Sequence, residues 1–307
     1  MPNAAAPSAH PLHNPLLGIL LRAGAATSFA FMSAMIKLGY EAGVNTVELV
    51  FYRFAFGLPP LLVWILLSGN YDAWRTARPL AHLSRTAIGL VSMMLAFSAL
   101  RYLPLAEATT ISFAAPLFAV ILSALILKEP VGRHRWSAVL VGFAGVMVVM
   151  RPGADAFPAI GLIIALGAAL GVAAVAITIR QIGRTEGAQT TVLWFTLSAL
   201  IVVGTIMPFF ARAHDMRTWL ILAALGLFGG LGQLFMTGSL RYASVSTVVP
   251  FDYLQLLWAV LLGWLLWNTH PGAATWAGAA VIIGSGLYTV YREHKLRLEH
   301  RKGTAAL

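Results

Sequence analysis

The chain has 307 residues, of which 59% are hydrophobic and only 10% charged, which excludes an ordinary soluble protein of two or three domains. A formal net charge of +10 would point to nucleic acid in a soluble protein. In so apolar a chain the placement of Lys and Arg matters instead, and no nucleic-acid partner is expected. With no cysteine there are no disulfides, thiolate nucleophiles or cysteine metal ligands.

Residues 1–14, rich in Ala, Pro and His, read as a disordered cytoplasmic tail. The apolar run that follows contains Arg22 and is too long for a signal h-region, so it reads as an uncleaved first helix. Ten apolar runs succeed one another, at 15–37, 47–68, 83–100, 105–127, 135–150, 158–179, 189–210, 218–240, 245–267 and 272–291. A helix crosses roughly 30 Å of hydrocarbon in about 20 residues, so each is a candidate span, the fifth being short. The loops leave no room for a soluble catalytic domain. The expected fold is an all-α integral membrane protein of ten transmembrane helices, ending in a basic cytoplasmic tail at 293–307.

If the N-terminus is cytoplasmic, fifteen of the 21 Lys and Arg residues fall on the cytoplasmic side, Arg22 and Arg85 among them. Five fall on the far side, and Arg53 alone is left within the bilayer. This asymmetry predicts that both termini are cytoplasmic, in a bacterial inner membrane. All eight His residues fall in tails or loops, which predicts no buried His relay and no intramembrane His metal site.

The two halves repeat. A-L-R-Y-L-P-L-A-E-A-T-T-I-S-F from Ala99 aligns with S-L-R-Y-A-S-V-S-T-V-V-P-F-D-Y from Ser239, a shift of 140 residues. Ile36 and the residues after it likewise resemble the stretch from Ile179. A repeat of five spans has an odd count, so the second copy (154–292) must enter the membrane in the sense opposite to the first (15–153). Such inverted repeats suit alternating access around a site near the midplane.

The tripeptide Y-R-F at Tyr52–Phe54, A-L-R-Y-L-P-L-A-E-A at Ala99–Ala108 and L-K-E-P at Leu127–Pro130 resemble the drug/metabolite transporter superfamily, in particular its EamA-type members. The second half departs from the pattern, with W-N-T-H-P at Trp267–Pro271 where a glutamate before proline is common. The resemblance implies a cavity lined by spans 1, 3, 4, 6, 8 and 9, with spans 5 and 10 peripheral. It implies a secondary carrier rather than an enzyme, without a cofactor, and an amino-acid exporter first. An uptake carrier for a cofactor-like metabolite of the riboflavin or S-adenosylmethionine type is the alternative.

Helical spacing selects the candidate site. Asp252, Gln255, Ala259 and Gly263 form one polar and small stripe on span 9, and Ser112, Ala115, Ala119 and Ser123 form its counterpart on span 4. Gly226, Gly230, Gln233 and Thr237 share a face of span 8. Met93, Met94, Phe97 and Ser98 offer a soft surface on span 3, and Tyr253 adjoins the acid. Asp252 is expected to bind a cationic group or a proton, because an acid in hydrocarbon calls for a function. Arg53 is expected to pair with Glu48 or Glu107, or with Asp252 as a gate. Lys37, Arg101 and Glu107 sit at helix ends and read as solvated. Trp258, Trp264 and Trp267 read mainly as an interfacial belt. Pro116 and Pro250 are expected to bend the fourth helix of each copy. Ala138 with Gly142 and Ala274 with Gly278 suit packing within a monomer or across a homodimer.

Overall fold

The computed structural model describes residues 14–128, 131–150, 157–183 and 185–304. The N-terminal tail before Asn14 and the last two residues of L-K-E-P lie outside the described residues. Ten helical rods follow one another: α1 (Pro15–Glu41), α2 (Thr46–Ser68), α3 (Pro79–Tyr102), α4 (Leu105–Leu125), α5 (Arg133–Met150), α6 (Ala159–Ile182), α7 (Ala188–Phe209), α8 (Met216–Tyr242), α9 (residues 245–267) and α10 (Ala273–Thr304). Among the described residues, nine of these are long and apolar enough to cross a membrane. The exception is α5, whose first turn carries Arg133, His134 and Arg135. Helix α10 spans with Ala273–Arg292 and then runs on to Thr304, through most of the segment that the sequence marks as a basic tail.

The sequence supplies caps where the rods begin. Asn14 accepts from the Leu17 amide at 3.2 Å, and Asn45 with Glu48 forms a reciprocal capping box on α2. Asp215 accepts from the Thr218 amide at 3.0 Å, and the hydrogen bonds from Thr218 hold its carboxyl below the usual aspartate value.

Successive rods run in opposite directions, so their ends fall on two faces. On the face that carries the start of α1, Gly18 lies against Ser239 and Ala243 at the end of α8, and Asn70 donates to Gln189. We refer to this as the terminal face. On the opposite face, Asn45 donates to the Phe210 carbonyl at 2.9 Å and Trp267 donates to Glu41.

The packing obeys the repeat. Helix α1 lies along α8, and α3 along α6; α2 contacts α8, and α7 contacts α3; α4 contacts α6, and α9 contacts α1. Each pairing maps onto another when α1–α5 are exchanged with α6–α10. The molecule is therefore two inverted five-helix halves, as the sequence predicts. Helices α5 and α10 pack on each other, and a Cβ on Gly278 would stand 2.6 Å from the Gly145 carbonyl. Gly278 thus serves close packing within one chain. Phe54, Leu49, Ile111, Leu117, Leu222 and Leu225 fill the core, while Leu140, Leu220, Leu257 and Leu265 face outward, where a bilayer would solvate them.

Three rods are broken. Helix α2 is interrupted at Phe56–Gly57 and α4 at Phe113–Ala114, and α9 passes through a 3-10 turn at Val249–Tyr253. Under the 140-residue shift the breaks in α4 and α9 coincide at 113 and 253. Pro116 does not make the break expected of it: it stands in the first turn after it, where a missing N–H costs nothing. Pro250 lies inside its 3-10 turn.

Candidate functional site

The break in α9 places Asp252 in a turn packed against α1. Arg22, about 10 Å along α1 from its start, meets that carboxylate with two N–H groups, Nε on Oδ1 and Nη2 on Oδ2. The two side chains are 11% and 32% exposed. Asp252 is therefore neither a lone acid nor the partner of Arg53, and Arg22 belongs to the bundle interior rather than to the cytoplasmic cations. A fork of two charge-assisted hydrogen bonds fixes α1 to α9 near the terminal face.

From Asp252 the stripe foreseen on this helix climbs toward the opposite face. Gln255 is half-buried, and Ala259 and Gly263 line a cleft of about 350 Å³. Pro104, Ala106 and Glu107 wall it from the start of α4, and Thr269–Gly272 from the loop before α10. Glu107 is buried, not solvated: it is 4% exposed and accepts from Thr275 Oγ1 at 3.1 Å. Its place in the first turn of α4 lets the helix N-terminus favour the carboxylate. Nearby, Lys37 Nζ lies 3.4 Å from the carbonyls of Leu100 and Leu103 and 5.7 Å from the Trp267 ring centroid.

Other expected site residues divide. Tyr253 meets Phe113 edge to face, with centroids 4.9 Å apart. Trp258 is drawn into an aromatic group with Phe31, itself stacked on Phe228 at 5.3 Å. Trp264 stands half-exposed near His270. Phe97 is core, and Ser98 bonds to Tyr40, whose hydroxyl also meets Thr46. Ser112 is exposed, and its hydroxyl donates to the Thr109 carbonyl at 2.7 Å. Thr237 is half-buried on α8. Gly226 and Gly230 are spent on close approach to α2: a Cβ on Gly230 would stand 2.8 Å from the Gly57 carbonyl oxygen. Gln233 lines a narrow crevice beside Arg53 and Thr196 rather than the cleft.

Arg53 pairs with neither Glu48 nor Glu107. Glu48 accepts from the Arg212 amide at 3.0 Å and lies 2.8 Å from His214 Nε2, because it caps its own helix at the opposite face. The Arg53 guanidinium sits 4.6 Å from the Phe54 ring centroid, and its Nε has no hydrogen-bond partner. Nor is it the bilayer's single basic residue. Arg85 is equally buried, 3.6 Å from the Phe195 centroid, with Nε and Nη1 unbonded. A cation–π contact contributes about 0.5–2 kcal/mol, whereas burying an ion costs several, so the rings do not balance these charges.

His82 also departs from expectation. It lies within the first turn of α3, 1% exposed, with Nε2 2.6 Å from Glu186 Oε2. Burial alone would raise the Glu186 carboxyl. The hydrogen bonds from Thr76 and His82, the charge of His82 and the Ala77 amide outweigh it and hold the carboxyl below its usual value. A sequence signal was present: His82 and Arg85 stand three residues apart, a spacing that puts both on one face of a helix, at the start of an apolar run.

Comparisons with known proteins agree with this architecture. The model of the EamA-like transporter family matches residues 16–151 and again 159–291. The chain is 29% identical to a riboflavin transporter of Vibrio cholerae, over 92% of this chain and 96% of that one. It is 28% identical to the pseudopaline exporter CntI of Pseudomonas aeruginosa (87% and 93%), and 29% identical to an S-adenosylmethionine uptake transporter of Rickettsia bellii (82% and 86%). A solved crystal structure superposes with a TM-score of 0.64 over 91% of this chain and 98% of that chain, and at 20% identity it shows the fold alone. Two family matches, one on each inverted half, place this chain in the EamA-like transporter family as a multi-pass membrane transporter.

Proposed function

We propose that this transporter is a secondary carrier that moves small amphipathic metabolites across a bacterial inner membrane by alternating access, with both termini in the cytoplasm. One observation carries the mechanism: the Arg22–Asp252 pair ties α1 to α9 near the terminal face while a cleft of about 350 Å³ opens at the other. The 140-residue shift sets Ser112 opposite Asp252, and the alignment of Ile36 with Ile179 sets Ala165 opposite Arg22. Neither carries charge, so these two equivalent positions form no ion pair. Exchange of the two arrangements would break the pair, and the freed Asp252 would then take a proton or a cationic group of the cargo. Gln255, one turn on, stands where it can reach the same cargo from the same stripe.

The cleft is within the usual range for small-molecule sites. Flat rings suit the Phe31, Phe228 and Trp258 group. Relatives named for riboflavin and S-adenosylmethionine support a cofactor-like cargo ahead of amino acids, the competing class. The test is uptake and counterflow in proteoliposomes of riboflavin, S-adenosylmethionine and neutral, aromatic, cationic and acidic amino acids, with wild type beside Asp252→Asn. Flux of a cofactor-like solute that falls about tenfold or more in the variant is the expected result. Flux of amino acids only would transfer the cargo to that class, and flux indifferent to Asp252→Asn would remove the gate.

A further inference from the structure

Two guanidinium groups lie inside the bundle with no carboxylate beside them. Arg53 and Arg85 are each 6% exposed, and among the described residues Arg53 Nε and both Nε and Nη1 of Arg85 have no hydrogen-bond partner. They flank one aromatic pair: Arg53 rests on Phe54, Arg85 on Phe195, and those rings meet edge to face at 5.2 Å. The two cations thus stand on either side of one pair of touching rings. Like charges brought together out of water repel, and a buried ion persists only when something of opposite sign compensates it.

The compensating group has a place. Arg53 lines a crevice of about 10 Å³, space for a single water-sized sphere, between α2, α7 and α8. Thr196 and Gln233, which carry a hydroxyl and a carboxamide, line it beside Arg53. A guanidinium, a carboxamide and a hydroxyl thus share this crevice with the apolar side chains of Leu61, Val192 and Leu234. Groups able to donate hydrogen bonds, set among apolar walls beside surplus positive charge, are the chemistry of an anion site.

We propose that this crevice binds one small anionic group, a monatomic anion or a single carboxylate, held by Arg53, Thr196 and Gln233, with Arg85 supporting it across Phe195. The site is separate from the cleft and from the Arg22–Asp252 pair. Its test needs no transport, so it stands or falls independently of the carrier reading.

Thermal unfolding of the full-length protein in detergent, followed by its nine tryptophans, measures the binding. Sodium chloride or sodium acetate replaces the sodium salt of a bulky sulfonate buffer at constant ionic strength. We expect a saturable rise in melting temperature with the small anion. The half-saturating concentration should increase about tenfold or more in Arg53→Gln and in the milder Thr196→Val. It should not change in Arg75→Gln, an exposed arginine. A response to chloride identifies a free inorganic anion, and a response to acetate alone identifies the carboxylate of a larger solute. No saturable response in wild type, or the same response in Thr196→Val and Arg53→Gln, would overturn the proposal.

Discussion

Phe113 and Tyr253, equivalent residues 140 positions apart in the two halves, touch each other edge to face with centroids 4.9 Å apart. Equivalent residues of a repeat meet only near the axis that relates the copies, so this contact marks the pseudo-two-fold axis. Both unwound segments reach this contact: the break in α4 begins at Phe113, and the 3-10 turn of α9 closes at Tyr253. Helices that exchange conformations about such an axis need a contact that survives the exchange, and an aromatic pair can rock without separating. A double-mutant cycle with Phe113→Leu and Tyr253→Leu, read by thermal unfolding, should give a coupling of about 0.5–1.5 kcal/mol. Strict additivity would mean that the rings are merely adjacent.

The Arg22–Asp252 fork should govern access from the terminal face. Charge-assisted hydrogen bonds contribute about 1.5–3 kcal/mol, so their loss should raise the open population roughly 10- to 100-fold. The chain has no native cysteine, and a single Gln255→Cys therefore reports directly. Its alkylation rate from the terminal side should rise by that order when Arg22→Gln is added. A rate that does not change would show that the pair is not what closes this face.

Gly57 and Gly230 bring the backbones of α2 and α8 into contact at the break in α2. A methyl group on Gly230 would collide with main chain, which cannot swing aside as a side chain can. Gly230→Ala should destabilise the protein by about 1–3 kcal/mol, lowering its melting temperature. Gly204→Ala, whose nearest neighbour is a Phe51 ring carbon at 3.6 Å, should be nearly neutral by comparison. Equal melting temperatures for the two variants would contradict the backbone contact.

Glu186 gives the terminal face a pH dependence. Its carboxyl is held below the usual value near 4.5, so the folded state favours the ionised form. The stabilisation is therefore fully present above the unfolded-state value and is lost as pH falls through the lower, folded-state value. Hydrogen exchange at Ala77 and Arg78, whose amides donate to Glu186 at 3.0 and 3.1 Å, should accelerate relative to Leu222 on acidification below about pH 5. Glu186→Gln should show the faster exchange already at neutral pH. Protection that does not respond to acid would remove this assignment.

The sequence by itself determined the environment, the number of rods and their symmetry. Hydrocarbon demands long apolar helices, and an odd repeat demands inversion, so neither conclusion needed a contact map. The coincident breaks in α4 and α9 were legible in outline from Pro116 and Pro250, although Pro116 stands just after its break, Pro250 lies inside its 3-10 turn, and the two are not at equivalent positions. Tertiary structure alone decided the partners of the charges. Arg22 and Asp252 stand 230 residues apart, Glu107 and Thr275 stand 168 apart, and His82 and Glu186 stand 104 apart. Hydropathy is a property of one helix and registers a charge near its end as inexpensive. Whether that charge meets water, a carboxylate or an aromatic ring depends on which helix faces it and at what depth. That is set by ridge-and-groove packing between segments remote in sequence, which assigned Asp252 its arginine and, among the described residues, set Arg53 and Arg85 against aromatic rings.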